Sequence, residues 1–238
     1  MRLDVALVVR GLARSRNQAA GIVRQGRVTV DGVEVRRVSH RVVEQSVIAT
    51  RDDPWVSRAA HKLLGALDAS GTSVPERVLD AGASTGGFTA VCLERGARRV
   101  FSVDVGHGQL VSELREDPRV LVREGLNLRG LQLEDLDGEQ VDLVVADVSF
   151  ISLTLLLEPM LSVLADGGTA LLLVKPQFEV GRQLLGAGGV VRDPALRQSA
   201  VDGVVAAAAR LGWNCDWQGE STLPGAAGNV EFFIRLTR

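Results

Sequence analysis

Cysteine is scarce in this sequence, and long apolar runs are missing. The two cysteines, Cys92 and Cys215, stand alone, with no Cys-x-x-Cys spacing and no histidine close to them in the sequence. This pattern argues against a disulfide framework and against a metal site, so we interpret both as core residues and expect no metal. Glu158 and Asp166 interrupt the richest apolar stretch, which leaves no run of the roughly 18 residues that span a membrane.

The first residues of the chain are also unlike a secretion signal. The segment MRLDVALVVRG is too short and too charged to be a signal peptide. The expected location is therefore the cytoplasm, and no membrane partner is expected.

Lysine is almost absent as well. Of the 27 basic residues, 25 are arginines, and the two lysines are Lys62 and Lys175. Arginine stays charged in proteins, whereas desolvation and a like charge nearby can drive a lysine to its neutral, basic form. Lysine at these two positions indicates chemistry that arginine cannot perform, with chance retention as the alternative.

The chain has 238 residues, of which 46% are hydrophobic. This length and composition suffice for one hydrophobic core and a small second module. The charge is unevenly distributed. Residues 1–62 hold 12 basic against 6 acidic residues, and the remainder holds 15 against 23. A basic front on an acidic body suggests a polyanionic partner brought to a catalytic domain, and a merely solvated charged face is the other interpretation.

The first fifth of the chain has the pattern of a small α+β module. Residues 3–10 predict a helix ended by Gly11, Ser15 can cap a second helix that Gly26 ends, and RVTV-DG-VEV predicts a hairpin. Two arginine-rich helices and a hairpin resemble the RNA-binding S4 domain, which we assign to residues 1–52 with a linker at 53–57. The phosphate-facing candidates are Arg14, Arg16, Arg24 and Arg27. A small cap without a ligand is the alternative.

Residues 58–238 alternate between buried strands and helices. A helical pattern that ends near Gly71 comes first, and the strand segments that follow are RVLDAG, RVFSVDVG, RVLVREG, VDLVVADVS and TALLLVKPQ. Apolar strands joined by helices predict an α/β fold with a doubly wound, mostly parallel, Rossmann-like sheet. Asp193 and Pro194 predict the start of a helix through Arg210, and two closing strands follow it.

The glycine turn after the first strand, VLDAGASTGGFTA, fits neither a dinucleotide fingerprint nor a P-loop. Asp80 precedes it at the carboxyl end of the strand, where a carboxylate would repel a pyrophosphate but could hold a cationic group. Asp104 closes the second strand, where an acid can bond ribose hydroxyls. The turn and Asp104 together resemble the S-adenosylmethionine site of Rossmann-like methyltransferases. Asp80 as a helix-capping carboxylate is the alternative.

The other strand ends supply further charged residues. The fourth ends in ADVSF, which lacks the Asn/Asp-Pro-Pro-aromatic signature of exocyclic base methylation and the cysteine used for pyrimidine carbon methylation. The fifth ends in Lys175, and the last strand holds Glu231. With Lys62 from the preceding helix, the candidate catalytic set is Lys62, Asp147, Lys175 and Glu231.

This tetrad resembles that of the FtsJ-type ribose 2′-O-methyltransferases. With the front module and the segments DAGASTGGFT, ADVSFISL, VKPQFEVG and LPGAAGNVEFF, the whole chain resembles the TlyA family of rRNA methyltransferases, historically also labelled haemolysins. The resemblance implies methyl transfer from S-adenosylmethionine to the 2′-hydroxyl of an rRNA cytidine, whose loss lowers sensitivity to capreomycin-type antibiotics. The cofactor residues that it implies are Asp80, Gly82, Ser84, Thr85, Gly86, Gly87, Phe88, Asp104, Asn127 and Asp147.

The resemblance also suggests roles and a substrate. Lys175 is the candidate base that takes the hydroxyl proton, while Asp147 and Glu231 orient the lysines and balance their charge. The chain starts one residue before Arg2-Leu-Asp and stops just after the last strand. It thereby resembles the shorter form of the family, which acts on 23S rRNA in the 50S subunit, with 16S rRNA and the 30S subunit as the other possibility.

Three other functions compete with this interpretation. A noncatalytic RNA-binding or ribosome assembly factor could keep the same fold, and saturable cofactor binding with methyl incorporation would argue against it. A membrane-active haemolysin lacks support from any spanning or amphipathic cationic segment. Pseudouridine synthases also carry this RNA-binding module, but their catalytic domain is not a strand-turn-helix series.

Overall fold

The computed structural model describes residues 1–13, 15–24, 26–51 and 55–238. It divides the chain into two compact units, Met1–Pro54 and Trp55–Arg238. Arg14, one of the expected phosphate contacts, and residues 53 and 54 of the expected linker lie outside the described residues.

The first unit contains two helices and a three-stranded antiparallel sheet. The elements are α1 (Leu3–Val9), α2 (Arg16–Arg24), β1 (Val28–Val30), β2 (Val33–Glu34) and β3 (Ile48–Thr50), with the strand order β2-β1-β3. The helix starts and the hairpin agree with the sequence prediction. The Ser15 hydroxyl accepts the Gln18 N–H at 3.2 Å, and Asp31 and Gly32 both have positive φ, as a tight two-residue hairpin turn requires.

The sequence analysis missed the third strand of this sheet. β3 is only three residues long and partly exposed, so it has no clear alternation of apolar and polar side chains. It is held by pairing with β1, from Val28 with Thr50 to Val30 with Ile48. Long-range pairing of this kind leaves little trace in a local pattern.

The second unit is built on a seven-stranded sheet with the order β6-β5-β4-β7-β8-β10-β9. The strands are β4 (Arg77–Ala81), β5 (Arg99–Asp104), β6 (Val120–Glu124), β7 (Val141–Ala146), β8 (Leu164–Val174), β9 (Asn214–Glu220) and β10 (Phe232–Thr237). Strands β4 to β8 are parallel, and β10 runs antiparallel to both β8 and β9. The predicted fold class, an α/β protein with a doubly wound and mostly parallel sheet, is therefore confirmed.

Helices cover the two faces of this sheet. They are α3 (Ala59–Ser70), α4 (Gly87–Glu94), α5 (Ser112–Arg115), α6 (Leu157–Ser162), α7 (Pro176–Glu179) and α8 (Pro194–Arg210). Successive strand residues point to opposite faces, so Leu79 belongs to one buried apolar cluster and Val78 to another. The predicted start of α8 is confirmed, because the Asp193 carboxylate accepts the Ala195 N–H at 2.9 Å.

The direction of β10 explains how a residue near the end of the chain reaches the carboxyl edge of the parallel strands. Phe232 pairs with Val174, the last residue of β8. Because β10 is antiparallel, the residue before its start, Glu231, lies beside the residue after the end of β8, which is Lys175. The catalytic candidates therefore meet at one edge of the sheet.

Candidate active site

Two ion pairs form the centre of the candidate active site. Lys62 Nζ lies 2.5 Å from Glu231 Oε2, and Lys175 Nζ lies 2.5 Å from Asp147 Oδ1. Lys62, Lys175 and Glu231 are buried, and the Asp147 side chain is 16% exposed. All four line a single cavity of about 520 Å³, so the structure brings the whole predicted tetrad together.

A second cavity of about 560 Å³ adjoins the first. The residues that line both cavities are Gly82, Ser84, Asp147, Ser149 and Phe150. Apolar side chains, among them Val105, Leu126 and Ile151, line the second cavity together with the Asp104 carboxylate. This combination fits S-adenosylmethionine, because a flat base can lie between the apolar groups while a carboxylate accepts hydrogen bonds from ribose hydroxyls.

The glycine turn brings the backbone close to this space. Gly82 has φ of 86°, and a Cβ atom there would lie 3.0 Å from the carbonyl oxygen of Asp147. Ser84 also has positive φ, which is unusual for a residue other than glycine. The Gly82 N–H donates to the Val103 carbonyl at 2.8 Å, which ties the start of the turn to β5.

Asp104 holds the glycine turn with one carboxylate oxygen and the segment after β5 with the other. Oδ2 accepts the Ser84 N–H at 2.8 Å, and Oδ1 accepts the Gly106 N–H at 2.7 Å. The side chain is only half-buried and lines the second cavity. Each carboxylate oxygen can accept a further hydrogen bond, so Asp104 can hold a ribose while it holds the turn.

Other predicted cofactor residues lie in different surroundings. Thr85, Gly87 and Phe88 line the first cavity, and the exposed Asn127 lines the second. Gly86 is not among the residues that line these two cavities, and a Cβ there would meet the side chains of Leu110 and Leu114. Its φ of 97° and this close packing account for glycine at the position, and its contact with the cofactor stays a prediction.

Asp80 lies beneath the turn, fully buried, and lines neither cavity. Its Oδ2 accepts the Thr89 hydroxyl at 2.6 Å, and Oδ1 has no hydrogen-bond partner among the described residues. Burial raises the pKa of Asp80 to about 7, and the negative charges of Asp147 and Asp104 add to the rise. The hydrogen bonds with Thr89 lower the pKa and only partly offset this effect.

We predict that Asp80 makes folding pH-dependent. Because the folded pKa lies above the ordinary value of 3.8, the folded protein keeps a proton that the unfolded chain releases between those two pH values. As pH rises through this window, the free energy of unfolding should fall by on the order of 4 kcal/mol. Asp80→Asn carries no charge, so its melting temperature without cofactor should exceed the wild-type value most at about pH 8, by less at about pH 5.5, and approach it only at about pH 4. A difference independent of pH would contradict this assignment.

Among the residues in the wall of the first cavity that were not predicted from the sequence are Ser149, Phe150 and Gln177. The Ser149 hydroxyl accepts a hydrogen bond from Lys175 Nζ at 2.7 Å. Phe150 has φ of 67° and is 91% exposed, and its ring centroid lies 5.3 Å from that of Phe178. The sequence signal that could have identified them is adjacency. Ser149 and Phe150 follow Asp147 by two and three positions in ADVSF, and Gln177 follows Lys175 by two positions in KPQF.

The Asp147 loop and the Lys175 segment are joined outside the cavity. The Glu179 carboxylate in α7 accepts the Ser152 hydroxyl at 2.5 Å and the Leu153 N–H at 2.9 Å. Burial raises the pKa of Glu179 above its ordinary value. These contacts fix the segment after β7 relative to the segment after β8, which helps to hold Asp147 and Lys175 in register.

The predicted RNA-binding arginines have mixed surroundings in the first unit. Arg24 is exposed, Arg16 pairs with Asp4 at 2.9 Å, and the Arg27 guanidinium donates to the Arg51 carbonyl at 2.9 Å. Hydrogen bonds from Arg2 and Arg16 lower the pKa of Asp4 to about 2. Arg16 remains 64% exposed despite its ion pair, so its guanidinium can still meet a phosphate.

Two features are absent from the described part of the chain. No group of three or more His, Cys, Asp or Glu side chains there could hold a metal ion. No helix among those residues is long and apolar enough to cross a membrane.

Comparison with known proteins places both units in families. Residues 55–238 match the model for FtsJ-like methyltransferases, and residues 1–48 match the model for the S4 domain. The chain is 49% identical, over 99% of its length, to the 16S/23S rRNA (cytidine-2′-O)-methyltransferase TlyA of Mycobacterium tuberculosis, and it covers 89% of that protein.

Two further similarities agree with these matches. A 23S rRNA (cytidine-2′-O)-methyltransferase TlyA from Campylobacter jejuni is 37% identical over 75% of this chain and 69% of its own length. A solved structure described as a candidate hemolysin from Streptococcus thermophilus is 36% identical, with a TM-score of 0.78 over 100% of this chain and 88% of that one.

Proposed function

The chain belongs to the FtsJ-like methyltransferase family and, within it, to the TlyA family, and we propose that it methylates the 2′-hydroxyl of a cytidine in ribosomal RNA. S-adenosylmethionine is the methyl donor, and the reaction takes place in the cytoplasm. The observation that carries the proposal is the single cavity lined by both ion pairs, Lys62 with Glu231 and Lys175 with Asp147.

A ribose hydroxyl needs this kind of environment because it is a poor nucleophile near neutral pH. Bound S-adenosylmethionine supplies an electrophilic methyl group on a sulfonium. The hydroxyl must lose its proton as its oxygen attacks that methyl group, and the proton needs an acceptor in the cavity wall. Lys175 is the proposed acceptor, because Asp147 and Ser149 fix the position of its Nζ atom in the cavity wall.

The remaining residues position the reacting groups. Asp147 and Ser149 together set the direction of Lys175 Nζ, which leaves its third substituent position for the ribose hydroxyl. The Lys62–Glu231 pair forms another wall of the same cavity, where the ammonium can hold the ribose oxygen. Placing the hydroxyl in line with the methyl group can contribute as much to the rate as the base does.

The first unit supplies the proposed contact with RNA. Arg24 is exposed, and Arg16 and Arg27 keep guanidinium groups at or near the surface, which suits phosphate oxygens. We propose 23S rRNA as the substrate, since 23S is the rRNA that the names of both TlyA relatives share. Methylation of 16S rRNA is the second possibility. Loss of the modification would lower sensitivity to capreomycin-type antibiotics.

The decisive experiment compares ribose methylation in rRNA from cells with and without this protein. We expect one cytidine in 23S rRNA to lose its 2′-O-methyl group in the deletion strain and to regain it when the purified protein and S-adenosylmethionine act on isolated 50S subunits. RNA binding without methyl incorporation would favour a noncatalytic assembly factor. Lysis of cells or vesicles without methyl transfer would favour the haemolysin interpretation.

Replacing Asp104 should weaken cofactor binding. Asp104→Ala removes charge-assisted hydrogen bonds to the ribose, which are worth about 1.5–3 kcal/mol. Asp104→Asn is the matched variant, because it keeps the size and one acceptor for a backbone N–H while it loses the charge and the second acceptor. Calorimetry should give a larger cofactor dissociation constant for both variants than for the wild type, with the larger increase for the alanine variant. Unchanged affinity in both would remove Asp104 from the proposed cofactor site.

A further inference from the structure

Glu231 is held by both of its carboxylate oxygens. Oε2 pairs with Lys62 Nζ at 2.5 Å, and Oε1 accepts a hydrogen bond from the side-chain amide of Gln177 at 3.3 Å. Glu231 is only 2% exposed. Its orientation therefore depends on two partners from separate parts of the chain, α3 and α7.

Gln177 makes this bond at a cost to its own side chain. Its Oε1 atom is buried and has no hydrogen-bond partner among the described residues. Exchanging the oxygen and nitrogen of the amide would not relieve this, because it would place an amide oxygen against the Glu231 carboxylate. An unpaired buried acceptor destabilises a protein, and an apolar side chain of similar size would avoid that cost.

The position of Gln177 links the two ion pairs. It lies in α7, two residues after Lys175, and Lys175 pairs with Asp147. Glu231 immediately precedes β10, whose first residue, Phe232, pairs with the residue before Lys175. One short segment thus carries the proposed base and also contacts the partner of the other lysine.

From these contacts we propose that Gln177 is a positioning residue for methyl transfer, which acts by holding Glu231 so that Lys62 keeps a fixed place in the cavity wall. This inference rests on the proposed function. Gln177 takes no proton and contacts no reacting atom in this role. The side chain that makes this hydrogen bond leaves its own oxygen unpaired, which lowers stability. In this proposal the gain that offsets the loss is the orientation of the Lys62–Glu231 pair.

Gln177→Leu and Gln177→Glu test this proposal in different ways. Leucine removes the hydrogen bond to Glu231 and also removes the unpaired buried oxygen. Glutamate keeps the size but replaces the amide donor with a carboxyl beside Glu231, and a protonated carboxyl can donate to Glu231 as the amide does. The charged side chains that line the same cavity are Arg58, Lys62, Asp147, Lys175 and Glu231.

We expect Gln177→Leu to lower the single-turnover rate of methyl transfer by about tenfold or more. Its melting temperature should equal or exceed that of the wild type, and its cofactor dissociation constant should stay unchanged. Gln218→Leu, on the exposed face of the edge strand β9, is the matched control and should leave the rate unchanged. For Gln177→Glu, the rate relative to wild type should rise as pH falls, because adjacent carboxyls share a proton more readily in acid.

Several results would overturn the inference. A Gln177→Leu protein with the wild-type rate would show that Glu231 needs no second partner. A protein whose rate and melting temperature fall together would show a structural role only, as would a Gln177→Glu rate that keeps a constant ratio to wild type across pH. A wild-type protein that transfers no methyl group would overturn the proposed function, and this inference with it.

Discussion

Replacing Lys175 with arginine is expected to stop methyl transfer almost completely while the fold and cofactor binding survive. The Nζ atom of Lys175 pairs with Asp147 and donates to Ser149, and an arginine can keep both contacts because it is charged and of similar length. It cannot shed its proton at any ordinary pH. Loss of general base catalysis should lower the single-turnover rate by about 10²- to 10⁴-fold.

The measurement is single-turnover transfer with saturating RNA and cofactor. Lys175→Ala shows the rate without a side-chain cation at position 175. Arg210→Lys is the control for an exchange between arginine and lysine at an exposed position. Arg210 ends α8, and α8 starts near the carboxyl edge of the sheet, so its last residue lies away from the site. A Lys175→Arg enzyme with a rate close to wild type would end the base assignment and leave positioning as the source of catalysis.

Much of the fold followed from local patterns in the sequence. The parallel strands are apolar on both faces, so β4 and β5 were evident, and the Asp193-Pro194 pair marked the start of α8 correctly. The strand β8 begins at Leu164, five residues before the predicted start at Thr169. The prediction started too late because the intervening Asp166-Gly167-Gly168 resembles a turn. Leu164 pairs with Val141 and Thr169 with Leu143, so the residues between them form an irregularity within β8 where the turn signal lies.

The tetrad could be found for two reasons that need no structure. The topology brings the ends of parallel strands to one edge, and the rarity of lysine singled out Lys62 and Lys175. How these residues pair could not be predicted, because a charge inventory fits several arrangements. Ser149 and Gln177 were missed because adjacency to a catalytic candidate does not identify a serine or glutamine as part of the site until its partner is known.

The burial of Asp80 was also invisible in the sequence. Its position at the end of β4 predicted a group facing the ligand, as Asp104 does at the end of β5. In the structure Asp104 lines the second cavity, whereas Asp80 lies beneath the turn and contacts Thr89. The strand register explains the difference, because Asp80 pairs with Ser102, so Asp104 lies two positions further toward the carboxyl edge of the sheet.

The second large effect concerns the Lys62–Glu231 pair and combines stability with catalysis. Both side chains are less than a tenth exposed, so removing one partner leaves an uncompensated buried charge. Lys62→Met and Glu231→Gln should each lower the free energy of unfolding by about 3–5 kcal/mol. In the double variant neither charge remains, and the glutamine still offers an acceptor to Gln177, so most of that stability should return.

Methyl transfer should follow a different course across the same four proteins. If the pair serves only to stabilise the fold, the double variant should recover activity together with its melting temperature. If the charged pair positions the ribose hydroxyl, the double variant should be stable and inactive, because methionine cannot hold an oxygen as an ammonium does. Denaturant unfolding and single-turnover transfer on the same samples separate these outcomes. We expect a stable, inactive double variant, since the cavity that the pair lines is the one that holds Lys175 and Asp147.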